Sequence, residues 1–176
     1  MKKLTIAALA CAMPLTASAG GFGFTTHSGT SYSQGIGYGG SAFHDLPSLD
    51  FRQSGWTIQV DALELLHGLT VEEGDARQLH LGLNAYKTVQ RHDIRDHLGG
   101  VVQPGFSVDV DSNSGFDPMD FDLQLQVRMG ARAQTPGGMG VGLYVVPGLG
   151  VASFAGETGL AVSGGMQIGV WRNSGD

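Results

Sequence analysis

Every second residue between Phe121 and Gln134 is apolar, and the residues between them are polar or glycine. The apolar positions are Phe121, Leu123, Leu125, Val127, Met129, Ala131 and Ala133, and the others are Asp122, Gln124, Gln126, Arg128, Gly130, Arg132 and Gln134. Side chains alternate faces along a β-strand, so this period gives one apolar and one polar face. On a helix the same residues would mix on every face. The segment therefore predicts a long, two-faced β-strand.

The same alternation recurs along most of the chain. Residues 139–151 and 160–171 repeat it, and turn-forming sequences at 135–138 and 156–159 separate these segments from one another. The signal is weaker upstream, where residues 20–40 are small, polar and rich in glycine. The predicted strands lie near residues 20–27, 31–40, 51–65, 76–89, 98–111, 119–134, 138–153 and 159–172. Because tight turns join antiparallel neighbours, we predict an all-β fold: a single antiparallel up-and-down β-barrel of about eight strands.

The first 19 residues have the three parts of a secretory signal. Lys2 and Lys3 form a basic start, residues 4–15 are mostly small and apolar, and Ala17 and Ala19 match the small-x-small cleavage pattern. The apolar stretch is too short to span a bilayer. We therefore predict a signal peptide at residues 1–19 and one β-barrel domain at residues 20–176.

Charge and cysteine usage narrow the classes of function. The chain has 10 basic and 16 acidic residues, and removal of Lys2 and Lys3 leaves 8 against 16, a net charge of −8. Nucleic-acid binding needs clustered Lys and Arg, so that class is excluded, and the sequence identifies no specific protein partner. The only cysteine, Cys11, lies in the predicted signal, so the remaining domain is expected to lack disulfides and thiolate metal sites.

Strand length favours a membrane around the barrel. Strands in soluble domains are commonly about 5–6 residues long, whereas strands that cross a bilayer need roughly 9–11 residues. Several of the alternating segments reach the longer value. We therefore predict these lipid-facing residues: Leu123, Leu125, Val127, Leu143 and Ile168. The alternative is a soluble periplasmic or secreted β-barrel or sandwich, whose apolar faces point inward and bind a small apolar ligand.

The polar faces of the strands would then line the lumen. A barrel of about eight strands has a lumen just wide enough to be filled by side chains. Opposite charges on these faces can satisfy one another through charge-assisted hydrogen bonds. We predict a polar network in the lumen that plugs the barrel and opposes conduction, formed by Asp61, Asp109, Asp122, Arg128 and Arg132.

In its alternation and strand spacing, the chain resembles the small eight-stranded outer-membrane β-barrel proteins of Gram-negative bacteria. Those barrels end in an alternating strand with a terminal aromatic residue that the assembly machinery recognises. Here the corresponding segment is Gly164–Trp171, and five further residues follow it. The resemblance implies a place in the cell outer membrane, with outer-membrane lipids and the barrel assembly machinery as partners. We expect a structural or surface-interaction role there.

Two segments contain side chains that can bind metal ions. The first is a run of oxygen ligands: Asp109, Asp111, Asn113, Asp117 and Asp120. It resembles a calcium loop, although Gly115 lies one place too late for that motif and the residues also suit an acidic hairpin turn. The second, residues 91–97, has two histidines and two aspartates, which suit a metal site or a solvated loop held by Arg–Asp pairs. We expect no firm cofactor, with Ca²⁺ as the candidate ion.

Catalysis has little support in the sequence. Some outer-membrane barrels modify lipids with Ser and His, and His27 with Ser28 and Ser31 is the matching candidate here. The chain lacks the Gly-x-Ser-x-Gly motif of a nucleophile elbow. We therefore expect no enzymatic activity and no catalytic residues, and a lipid-modifying enzyme is the less favoured alternative.

Overall fold

A computed structural model describes residues 20–34, 41–44, 46–62, 79–112, 119–154 and 156–173 of the chain. Its strands are β1 (Gly21–Gln34), β2 (Ser41–His44), β3 (Ser48–Gln53), β4 (Trp56–Val60), β5 (Leu79–Lys87), β6 (Gln90–Arg95), β7 (Leu98–Ser112), β8 (Met119–Gln134), β9 (Met139–Phe154) and β10 (Glu157–Asn173). Within these ranges no helix is long and apolar enough to cross a membrane. The predicted signal peptide, with Ala17 and Ala19, lies outside the described residues.

These strands form one antiparallel sheet that closes on itself as an eight-stranded barrel. Neighbours pair in the order β1, β3, β4, β5, β7, β8, β9 and β10, and β10 returns to pair with β1. β2 pairs with the same edge of β1 as β3 does, and β6 pairs with the same edge of β7 as β5 does. β2 and β6 therefore extend existing walls of the barrel. The predicted fold class is confirmed.

The closing seam defines two ends of the barrel. Gly21 lies opposite Asn173 and Gln34 lies opposite Leu160, so β1 and β10 pair along their whole length. Gly21 and Asn173 share one end with the turns at 54–55 and 135–138, and we call it the termini end. β4, β7 and β9 finish at the opposite end, which we call the loop end.

Two predicted strand boundaries in the first third of the chain are wrong. The sequence predicts separate strands at 20–27 and 31–40, but β1 continues across the gap between them. It also predicts one strand at 51–65, but Ser54 and Gly55 turn the chain between β3 and β4. These two residues have positive φ angles of 51° and 78°, which suit a two-residue hairpin turn. The two errors compensate, so the predicted number of barrel strands is still correct.

The barrel is apolar outside and polar inside. In β9, exposed and buried residues alternate without a break from Met139 to Leu149. Among the described residues, 14 polar or charged side chains are buried, against 8 hydrophobic ones. Water-soluble domains show the opposite distribution, because they hide apolar side chains and expose charged ones. The centre of this protein is therefore a polar lumen, and its side chains are the candidates for function.

Candidate functional site

The structure places the residues predicted to face lipid on the outer surface. Leu125 is 75% exposed, and Leu123, Val127, Leu143 and Ile168 are also exposed. Their neighbours in sequence point into the barrel. An apolar surface of this extent on a folded domain marks a contact with a membrane or a partner.

One buried arginine and two tyrosines occupy the middle of the lumen. Arg128 and Tyr86 are 0% exposed, and Tyr144 is 1% exposed. The guanidinium carbon of Arg128 lies 3.7 Å from the ring centre of Tyr144 and 5.3 Å from that of Tyr86. Shielded cation–π contacts of this kind stabilise by about 2 kcal/mol. Within the described part of the chain, none of the three guanidinium nitrogens forms a hydrogen bond. Aromatic faces therefore take the place of hydrogen-bond acceptors around this charge.

Glycine gives the aromatic rings their space. A Cβ atom at Gly142 would overlap the hydroxyl of Tyr144, and one at Gly140 would overlap the indole of Trp171. A larger residue at either position would therefore displace a ring from the lumen. The frequent glycines on the polar side of β9 allow bulky aromatic side chains to fill a narrow barrel.

Hydrogen bonds tie the central tyrosine to two further strands. The Tyr86 hydroxyl donates to Oε1 of Gln126 at 2.5 Å, and it accepts from Nε2 of Gln167 at 3.3 Å. Tyr86 belongs to β5, Gln126 to β8 and Gln167 to β10, so these bonds cross the lumen. All three side chains are buried, and together with Arg128 they form the central plug of the barrel.

Asp50 is the hub of a second buried group. It is 0% exposed, and its carboxylate accepts hydrogen bonds from three side chains. Thr25 Oγ1 lies 2.8 Å from Oδ2, Gln59 Nε2 lies 3.1 Å from Oδ1, and Arg52 Nη2 lies 3.4 Å from Oδ2. Burial of a charge is costly unless the charge is paired and hydrogen-bonded, and these contacts offset that cost for Asp50.

Carboxylates crowd the loop end of the lumen. The register of β7 and β8 places Asp109 directly opposite Asp122, and Asp111 directly opposite Asp120. Like charges in such cross-strand positions repel each other. Asp61 directly follows β4 at this end of the barrel and is 5% exposed, and it adds another buried carboxylate.

Neutral donors hold two of these carboxylates. Ser107 Oγ donates to Asp109 at 2.7 Å, and Gln124 Nε2 donates to Asp122 at 2.6 Å. Gln124 also bonds to the hydroxyl of Ser163. A cavity of about 180 Å³ opens among these side chains, and the described residues that line it include no Lys or Arg.

Among the described residues, three side chains that could hold a metal ion together lie in this cavity. The ligand atoms of Asp61, His80 and Asp109 all lie within 4.8 Å of one another. His80 Nδ1 is 2.6 Å from Asp111 Oδ1, and its Nε2 is 3.9 Å from Asp61 Oδ2. One imidazole nitrogen and two carboxylate oxygens form a donor set that can hold a divalent ion, with Asp111 orienting the ring.

The five residues of the predicted polar network all face the lumen, but they form two separate charge groups. Asp61, Asp109 and Asp122 lie at the loop end, Arg132 lies at the termini end, and Arg128 lies between them. A strand rises about 3.3 Å per residue, so Asp122 and Arg132 on β8 stand roughly 33 Å apart. Within the described part of the chain, neither arginine forms an ion pair with these aspartates.

The described residues of the two predicted metal-binding segments are mostly strand. Asp109 and Asp111 belong to β7 and Asp120 to β8, whereas Asn113 and Asp117 lie outside the described residues.

Residues 91–97 form β6 and the turn after it, and all of their side chains are exposed. There Arg91 Nε lies 2.7 Å from Asp93 Oδ1. This pair matches the solvated interpretation of the segment rather than the metal site.

The candidate catalytic side chains do not share one face. Alternation along β1 directs His27 and Ser31 into the lumen, where both line the loop-end cavity. Ser28 lies on the other face of β1, the outer face that carries the exposed Phe22 and Phe24. The Cα atoms of positions four apart in a strand are about 13 Å apart, so the strand by itself does not bring His27 and Ser31 together as a nucleophile and its base.

Sequence reasoning predicted Arg128 in the lumen but missed the two tyrosines beside it and Asp50. Tyr86 and Tyr144 have the parity of the polar faces, so the alternation could have placed both rings inside the barrel. Asp50 lies within β3, one residue before the predicted strand of 51–65 begins, so the prediction assigned it to neither face.

Comparisons with known proteins bear on the fold. No protein-family model matches the sequence, and no curated protein matches it. Among solved structures, Neisserial surface protein A (NspA) is similar with a TM-score of 0.53 and 15% identity, over 88% of this chain and 98% of that chain. Ail, the attachment invasion locus protein of Yersinia pestis, gives a TM-score of 0.40 and 12% identity, over 89% of this chain and 100% of that chain. The resemblance predicted from the sequence is confirmed: this protein has the fold of the small eight-stranded outer-membrane β-barrels of Gram-negative bacteria.

Proposed function

We propose that the protein is an outer-membrane β-barrel with a structural or surface-interaction role. The observation that carries the proposal is the inverted polarity of the molecule, with exposed Leu, Val, Ile and Phe outside and buried Gln, Asp and Arg inside. A bilayer core offers no hydrogen-bond partners, and a closed barrel satisfies its backbone internally. The fold shared with NspA supports the same proposal.

Export and insertion complete this proposal. The first 19 residues would direct the chain out of the cytoplasm and be removed before Gly20, and the barrel assembly machinery would insert the rest. Outer-membrane lipids would cover the apolar outer face. The crowded carboxylates of the loop end would give that end an acidic surface suited to cationic partners.

We propose that the lumen is closed and has no catalytic role. Arg128, Tyr86 and Tyr144 fill its middle, and none of the described residues lines both the loop-end cavity and the cavity at the termini end. The alternative of a soluble barrel that holds an apolar ligand is disfavoured, because a buried arginine and buried glutamines surround the lumen.

Heat modifiability and membrane extraction test the membrane part of the proposal. Closed membrane barrels stay folded in cold detergent, so the chain should migrate differently on a gel before and after boiling. It should also remain with the membranes after a carbonate wash. A chain that dissolves in plain buffer and migrates identically with and without boiling would contradict the proposal.

A charge placed on the outer face gives a sharper test. Leu125→Arg puts the charge near the middle of β8, where lipid would make it cost about 2–4 kcal/mol of folding free energy. Leu160→Arg is the matched control, because Leu160 is also exposed but lies near the loop end of β10, where the cost falls to about 0–1 kcal/mol. Urea unfolding in lipid vesicles measures the free energy of unfolding of both variants. Equal and small effects would mean that water covers both positions.

A further inference from the structure

The cavity at the termini end of the lumen has a chemistry opposite to that of the loop end. Its volume is about 580 Å³, and its wall includes Arg52 and Arg132. Both tryptophans of the chain, Trp56 and Trp171, lie on the same wall. None of the described residues lining it is Asp or Glu. We call this cavity the basic mouth.

Arg52 is held firmly while some of its donors remain unused. Its guanidinium carbon lies 3.8 Å from the ring centre of Trp171, so the ring fixes the plane of the charged group. Arg52 is 13% exposed, and its Nη2 makes a long contact of 3.4 Å with Asp50. Its Nε is buried and donates to none of the described residues. A stacked guanidinium with spare donors is pre-organised to receive an acceptor.

Arg132 places a second positive charge on this wall. It is half-buried on β8, and it forms no hydrogen bond or ion pair with any residue in the described ranges. An adjoining cavity of about 380 Å³ shares Arg132, but there the charges of Arg91 and Asp93 pair at 2.7 Å. Asp93 acts electrostatically on Arg132 but forms its ion pair with Arg91, so the donors of Arg132 remain open to the basic mouth.

We propose that the basic mouth binds a small organic anion that carries a carboxylate or phosphate group. Arginine presents two parallel N–H donors that match both groups. The buried Trp171 supplies an apolar wall for the rest of the molecule, and the exposed Trp56 lies at the rim. The volume lies within the range of small-molecule sites, about 300–1,000 Å³. Arg128 adds a further cation deeper in the lumen, and low-dielectric walls focus its field. The proposal requires a folded barrel but is independent of where in the cell the barrel resides.

Tryptophan emission reports on this site directly, because the two tryptophans of the chain both line it. The folded chain from Gly20 to Asp176 is titrated in detergent micelles with succinate and, separately, with inorganic phosphate. Sodium chloride of equal ionic strength is the control. We expect a saturable change in emission with at least one of the two anions. Saturation with phosphate alone identifies a phosphoryl group, and with succinate alone a carboxylate. Two titrations no different from sodium chloride would overturn the proposal.

Matched variants separate a specific site from a general effect of charge. Arg132→Gln should weaken binding by at least about tenfold, because it removes the charge and the donor pair. Arg172→Gln removes the same charge from the exposed outer face beside Trp171, and binding should stay within about twofold. Migration on a gel without boiling shows whether each variant is folded. If Arg132→Gln does not fold, Arg132→Lys is used in its place. Equal weakening in both variants would overturn the proposal.

Discussion

The two ends of the lumen carry opposite charge inside one closed wall. The loop end gathers Asp61, Asp109 and Asp122 without a described Lys or Arg on the cavity wall. The termini end presents Arg52 and Arg132 without a described carboxylate on its wall. The two ends also satisfy their charges differently. Neutral hydroxyl and amide donors hold the carboxylates, whereas aromatic rings stack on Arg52 and Arg128.

The charged side chains of a polar lumen therefore need not neutralise one another. A cage of alternating Arg and Asp would rigidify the barrel and leave nothing for a partner. Here the fully bonded groups, around Asp50 and Tyr86, lie in the interior, and the surplus charge lies at the two mouths. Stability and recognition are therefore expected to depend on different residues, and substitutions can separate them.

Removal of the Asp50 carboxylate should have the largest effect. Asp50 is fully buried, bonds to three side chains and acts electrostatically on Arg128. Asp50→Ala leaves two guanidinium groups without this counter-charge, and breaking one side of a buried pair costs about 3–5 kcal/mol. Urea unfolding followed by tryptophan emission measures the loss.

Asp93→Ala is the control for Asp50→Ala, because it removes the same charge from an exposed pair on β6. Exposed pairs contribute about 0–1 kcal/mol, so the unfolding midpoint should barely move. If the two substitutions had similar effects, Asp50 would not be the counter-charge of the basic half of the lumen.

The fold was predictable because alternation is a property of a strand by itself. From Phe121 to Gln134 each side chain's parity assigns its face, and β8 covers the predicted range. The charge separation was only partly predictable. The distance from Asp122 to Arg132 follows from the length of one strand, because both residues lie on β8. The pairing of Asp109 with Asp122 becomes visible only when the strands are placed side by side.

Opening the central plug should join the two ends. Arg128→Ala removes the largest fully buried side chain, between the loop-end cavity and the basic mouth. We expect potassium efflux from vesicles to rise above that of the unsubstituted barrel, since the carboxylates of the loop end then face a continuous aqueous path. Arg132→Ala widens the mouth without touching the plug and should leave efflux unchanged. A folded Arg128→Ala barrel with unchanged efflux would mean that Tyr86 and Tyr144 close the lumen by themselves.

Relief of repulsion at the loop end should have the smallest effect, and of opposite sign. Asp109→Asn removes one of two like charges placed directly opposite each other on β7 and β8, so the free energy of unfolding should rise by about 0.2–1 kcal/mol. Added salt screens the repulsion in the unsubstituted protein, so the gain from Asp109→Asn should shrink as salt increases. Asp93→Asn at the termini end has an arginine partner instead and should show no gain. If Asp109→Asn destabilised the barrel, the net electrostatic interaction of the Asp109 carboxylate with its neighbours would be favourable. Repulsion between carboxylates would then not dominate at the loop end.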